Sequence, residues 1–120
     1  MILIIGGAYQ GKLDYAKEAF SLTEGDVHRC SGEDIDFSRR CIYGIEEFAF
    51  RQEDPIAYFQ ANRSKWQQSI LICQDIFSGV VPMGGENRAW RQKTGRLCQY
   101  LAGEAEQVIR IFCGLEQRLK

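Results

Sequence analysis

The chain opens on Ile2-Leu3-Ile4-Ile5, a β-branched and leucine run that stops at Gly6-Gly7. A short apolar run without polar alternation, ended by glycine, is the pattern of a strand buried on both faces. The pattern fits a parallel sheet covered by helices above and below. Directly after the glycines, Leu13, Ala16 and Phe20 recur at helical spacing and predict a helix over residues 11–20.

The rest of the chain continues the alternation. A second strand is expected from Val27 to Cys30, after the turn Glu24-Gly25-Asp26, and residues 31–40 read as a polar loop. Ile42, Ile45, Phe48 and Ala49 predict a helix from Cys41 to Arg51. Asp54-Pro55 then supplies an N-cap and a proline at the first helical position for a helix running to about Lys65. Ile70-Leu71-Ile72-Cys73 marks another buried strand between Ser69 and Ile76. Residues 77–86, with three glycines and a proline, read as a loop. Trp90, Thr94, Leu97 and Leu101 mark the core face of a helix from Arg88 to Ala105. A last strand is expected from Val108 to Cys113, stopped by Gly114. The order β-α-β-α-α-β-α-β argues for one α/β domain over residues 1–120, a mostly parallel sheet with crossover helices.

Composition narrows the partners. Fifteen basic residues against sixteen acidic ones give a net charge of −1, so no overall field favours nucleic acid or an anionic membrane. The five cysteines include no C-x-x-C pair and are accompanied by a single histidine. They therefore read as free, mostly buried thiols, with Cys73 and Cys113 inside apolar runs, and imply a reducing compartment. The opening apolar stretch is too short for a membrane span and lacks a basic leader, so the expected location is the cytoplasm.

Gly6-Gly7-Ala8-Tyr9-Gln10-Gly11-Lys12 satisfies G-x-x-x-x-G-K, the core of a Walker A phosphate loop. Glycines let successive backbone N–H groups turn inward around phosphate oxygens. The positive end of the following helix faces the anion, and lysine adds a compact charge. Residues Gly6 through Lys12, with Leu13 beside them, are thus the candidate nucleotide contacts. Leu13 stands where a hydroxyl residue would ligate Mg²⁺, and leucine cannot bind a hard cation. The alternative is a glycine-rich strand-to-helix turn that carries a lysine by chance. Elsewhere, Glu46-Glu47 reads as a solvated pair, because neighbouring helical side chains diverge by about 100°. Tyr58 and Trp66 either line a pocket or close the domain.

The opening twelve residues resemble the start of the adenosylcobinamide kinase / adenosylcobinamide-phosphate guanylyltransferase family. That family begins with a strand, Gly-Gly-Ala, two variable residues and Gly-Lys-Ser. Residues 73–82 of this chain are similar to its Asn-Glu-Val-Gly-x-Gly-Ile-Val-Pro segment. Arg88, Arg91, Gly95-Arg96, Gln99 and Leu101-Ala102 match its Arg-x-x-Arg-x-x-x-Gly-Arg-x-x-Gln-x-Leu-Ala helix. The close, Val108 to Gly114 and then Leu119-Lys120, is similar to its final strand and terminal leucine-lysine. Members are longer, and their central part carries a histidine that takes the guanylyl group. No histidine lies between Ser31 and Gln68 here, and His28 reads as a structural residue on a strand. The family's separate acidic Walker B strand has no counterpart either.

The resemblance implies an abbreviated three-layer P-loop nucleotide-binding domain of cobalamin biosynthesis. Its donor would be ATP or GTP with Mg²⁺, its acceptor the corrinoid adenosylcobinamide, and its assembly a homotrimer. Lys12 and Asp75 are the candidate catalytic residues. Asp75, at the tip of a buried strand, reads as a Mg²⁺ ligand, as a proton acceptor, or as a turn cap. Arg88 and Arg91 read as phosphate-binding guanidinium groups or as a solvated helix face. Loss of the histidine leaves kinase-type transfer as the activity carried over. The competing reading is a non-catalytic nucleotide-binding or assembly protein that kept the loop and lost the metal chemistry.

Overall fold

The computed structural model describes residues 1–8, 10–31, 33–75 and 85–120. Five parallel strands and one antiparallel strand form a single sheet within these residues, in the order β2-β3-β4-β1-β5-β6. The strands are β1 (Ile2–Gly6), β2 (Val27–Arg29), β3 (Cys41–Tyr43), β4 (Ile70–Gln74), β5 (Gln107–Phe112) and β6 (Leu115–Arg118). The helices are α1 (Lys12–Ala19), α2 (Ile45–Arg51), α3 (Pro55–Ala61) and α4 (Gly85–Glu104).

Strand alternation sorts the core into two layers. Leu3, Ile42, Leu71, Cys73 and Val108 point to one face, where Phe48 and Ala49 of α2, Phe59 of α3, and Leu97 and Leu101 of α4 cover them. Ile4, Cys41, Ile70, Ile72, Ile109 and Ile111 point to the other, against Ala16 of α1 and Leu22. The register aligns these sets across the sheet, Leu3 beside Leu71 and Val108, Ile4 beside Ile72 and Ile109. The apolar run at the N-terminus is therefore interior, paired on both edges and covered on both faces.

Several boundaries differ from the expected ones. Cys41–Tyr43 is a strand rather than the first turn of a helix, inserted between β2 and β4. Gly44, at φ 77°, then turns the chain into α2. Pairing on both sides satisfies the backbone of this segment, which outweighs its helical spacing. The helix capped by Asp54, whose Oδ1 accepts the Ala57 N–H at 3.1 Å, ends at Ala61. A separate 3₁₀ turn, Arg63–Lys65, follows it. Trp66 is fully buried and donates to the Phe59 carbonyl at 2.8 Å, and the Tyr58 hydroxyl accepts the Ile35 N–H at 2.9 Å. Both side chains close the core. The chain also adds β6, joined to β5 through Cys113 and Gly114 at φ 52° and 75°. That pair of left-handed residues is the geometry of a two-residue hairpin turn, and it leaves Cys113 exposed instead of buried.

No helix among the described residues is long and apolar enough to cross a membrane. All five cysteines are free thiols.

Candidate functional site

Strands β1 and β4 are neighbours, yet α1 packs on one face of the sheet and α4 on the other. Diverging connections of this kind open a crevice at the carboxyl ends of the strands, where α/β sheets bind ligands. A cleft of about 380 Å³ lies there. Gln10, Gly11, Lys12 and Leu13 form one wall, Gly44, Glu46 and Glu47 another, with Arg29, Gln74 and Trp90 completing it.

The glycine loop adopts its shape for local reasons. At Gly6 a Cβ would stand 2.6 Å from the Ile111 carbonyl oxygen and 3.3 Å from the Lys12 side-chain stem. Gly11, at φ 85°, starts α1 and accepts the Tyr15 N–H at 2.9 Å. Gln10 is tied to the β5–β6 turn, its carbonyl accepting the Gly114 N–H at 3.0 Å and its Oε1 accepting the Cys113 N–H. Ala8 is exposed, and Tyr9 lies outside the described residues.

Lys12 reaches back along the loop, its Nζ donating to the Gly7 carbonyl at 2.6 Å. Partial burial lowers the Lys12 pKa below its ordinary value, against the attraction of Glu46, Cys73 and Asp75. Leu13 is half-buried against the α1 side of the core and offers the cleft no oxygen.

Across from Lys12, Glu46 holds two elements together. Its Oε1 accepts the Gln74 N–H at 2.8 Å, and its carbonyl accepts the Trp90 Nε1–H at 2.8 Å. Glu46 and Glu47 both sit in the first turn of α2, where carboxylates complement the helix dipole. Both line the cleft: Glu47 is exposed, as expected of a solvated pair, whereas Glu46 is half-buried at the cleft wall. The place of Glu46 was hidden because the turn at Gly44, and not the helix itself, aims it. Trp90, expected in the core, is half-buried at the cleft wall, with its ring edge-on to Phe50 at 5.4 Å.

Asp75 follows β4 directly and donates its backbone N–H to the Gly6 carbonyl at 2.7 Å, which places it next to the glycine loop. Arg88 is exposed, Arg91 is half-buried, and neither lines the cleft. His28 is on β2, in register with Ile42 and away from the cleft lining. Residues 76–84, including most of the Gly79-Val80-Val81-Pro82 and Gly84-Gly85 loop, lie outside the described residues.

A mostly parallel α/β sheet, a glycine loop between its interior strand and first helix, and a polar cleft at the strand ends define a domain consistent with an abbreviated P-loop type. The chain belongs to the cobinamide kinase / cobinamide phosphate guanyltransferase family, whose model matches residues 46–119, about three-fifths of its length. That family is one of nucleotide-binding proteins of cobalamin biosynthesis. The match begins at Glu46, so the glycine loop precedes the matched residues. No curated protein matches the chain.

Proposed function

We propose that this chain binds ATP or GTP at the loop from Gly6 to Leu13 and transfers the terminal phosphoryl group to the hydroxyl of a cobinamide. The observation that carries the reading is the position of Lys12. It begins α1 at the end of an interior parallel strand and lies within electrostatic reach of Glu46 and Asp75. Phosphoryl transfer asks mainly for positioning and charge stabilisation. In this reading Lys12 releases the Gly7 carbonyl and turns its ammonium to the donor phosphates. Backbone N–H groups of the loop hold the same oxygens, and Asp75 accepts the proton of the attacking hydroxyl.

Among the described residues no group of three His, Cys, Asp or Glu side chains is placed to hold a metal ion. Mg²⁺ commonly arrives with nucleotide and takes one or two protein carboxylates besides phosphates and water, a requirement that Glu46 fits, or Asp75 in place of its part as proton acceptor. When bound, the ion supplies neutralisation of phosphate charge. On α4, Arg91 directly follows the cleft-lining Trp90 and Arg88 precedes it by two residues, and in this reading they add positive charge near the donor phosphates.

Leu13 favours a second reading, a nucleotide-binding protein without transfer, because it removes the hydroxyl ligand of the loop. Calorimetric titration with ATP and GTP, with and without Mg²⁺, tests both against a Lys12→Ala variant. Micromolar binding that needs Mg²⁺ and is lost in the variant supports the kinase. Binding indifferent to Mg²⁺ supports the second reading, and absence of binding in every condition overturns both.

A further inference from the structure

Among the described residues, the exposed large hydrophobic side chains are Phe112, Leu115 and Leu119, at 56, 71 and 52% exposure. All three belong to the β5–β6 hairpin or the residue after it, and β6 is the last strand of the sheet, exposed along its whole length.

The hairpin sorts its groups in two ways. Tyr15 of α1 donates to the Glu116 carboxylate, so Glu116 and, by alternation, Arg118 face the α1 side. Arg110 lies over the Phe112 ring at 5.4 Å and donates to Gln117 Oε1 at 3.4 Å. Gln117, Leu115 and Leu119 therefore share the opposite face with Phe112. The backbone alternates as well. The Leu119 N–H donates to the Val108 carbonyl at 2.8 Å, and Leu115 pairs with Phe112 across the turn. Residues 115, 117 and 119 thus direct their peptide groups at β5, and Glu116 and Arg118 direct theirs outward.

An edge with outward peptide groups is a template for another strand, and charges on it usually repel that strand. Here the charges are self-complementary. We propose that β6 is a docking edge for a second copy of this chain, paired antiparallel about a two-fold axis through Gln117. In that register Glu116 exchanges both backbone hydrogen bonds with the second copy's Arg118, and the symmetric pair repeats the exchange. The Glu116 carboxylate stands opposite that guanidinium on the α1 side. On the other face Leu115 meets the second copy's Leu119, and Phe112 flanks the contact. An isologous contact of this kind closes at two copies, unlike the trimer that the family resemblance implies. Its short length makes it reversible.

Light scattering on eluting peaks across the micromolar range tests the pairing. The full chain should pass from monomer to dimer, and Glu116→Arg or Arg118→Glu alone should weaken the dimer about tenfold, because like charges then face each other twice. The double variant Glu116→Arg/Arg118→Glu restores opposite signs in the same register and should recover the dimer. Glu116→Arg and the double variant both lose the Tyr15 contact while Arg118→Glu keeps it, so recovery of the dimer in the double variant relative to Glu116→Arg reports the cross-strand charges. Gln117→Cys in a Cys113→Ser background should form a disulfide-linked dimer on mild oxidation, because residue 117 meets itself across the axis. A monomer at every concentration, a trimer, a dimer unmoved by the single variants, or a double variant no better than the singles overturns the proposal.

Discussion

The Glu46 carboxylate accepts the backbone N–H of Gln74 at 2.8 Å, which fastens the start of α2 to the carboxyl end of β4 beside the cleft. Glu46→Ala leaves that half-buried N–H without its acceptor and should cost about 1–2 kcal/mol in urea unfolding. Glu46→Gln keeps an acceptor oxygen and should unfold near the wild-type midpoint. If Glu46 also holds the nucleotide's Mg²⁺, the glutamine variant should lose the Mg²⁺ dependence of nucleotide binding. A glutamine variant with unchanged Mg²⁺ dependence would leave Glu46 a purely structural brace.

Lys12 must be charged to hold phosphates, and burial depresses its pKa. Nucleotide affinity of the wild type should therefore fall as pH rises through a value below 10.5, approaching that of Lys12→Ala. Titrations of both proteins from pH 7 upward check this, since the alanine variant should stay flat where the wild type declines. Parallel profiles would remove Lys12 from the phosphate site.

Gly6→Ala places a methyl group 2.6 Å from the Ile111 carbonyl, which belongs to the neighbouring strand and cannot swing aside. Overpacking of this kind should destabilise the fold by about 1–3 kcal/mol. A thermal melt of the purified variant reads it directly. A midpoint equal to wild type would mean that β1 and β5 can separate at their ends.

The thiols should separate by access. Cys113 is exposed on the hairpin turn, whereas burial pushes Cys30 up to about 12 and Cys41 up to about 11. Cys73 is buried as well, its Sγ 3.4 Å from that of Cys98. Brief iodoacetamide treatment at neutral pH followed by mass spectrometry should label Cys113 first, with Cys30, Cys41 and Cys73 protected until urea unfolds the chain. Early labelling of Cys41 would contradict its burial under α1.

Tyr15 donates to the Glu116 carboxylate, and this raises the Tyr15 pKa to about 12. Because the folded-state pKa lies above the unfolded value, the contribution is complete below about pH 10. It disappears as pH rises through about 12. The pair is largely exposed, so solvent screening keeps its worth to about 0.5–1 kcal/mol. Tyr15→Phe should lose that amount at pH 8 and match the wild type above pH 12 in denaturant titrations.

The parallel sheet and its layers were legible because apolar runs such as Ile2 to Ile5 and Ile70 to Cys73 have few alternative resting places. The glycine loop was legible as a motif, and Lys12 at its end lines the cleft. Cys41–Tyr43 continues the helical spacing of α2, three residues carry too little periodicity to choose strand over helix, and the choice comes from its two flanking strands. Residues 115–118 form β6 only because the Cys113-Gly114 turn folds them back onto β5.

Sequence alone determined the α/β class, the interior place of β1, the helix that follows the loop and the lysine at its start, since each depends on local patterning within a few residues. Tertiary structure decided that Glu46 and Trp90 meet Lys12 at one cleft, that Gln10 is bound to the hairpin turn, and that the apolar groups of β6 remain uncovered. These depend on which strands become neighbours, and strand order is a property of the whole packed sheet that no local window of residues encodes.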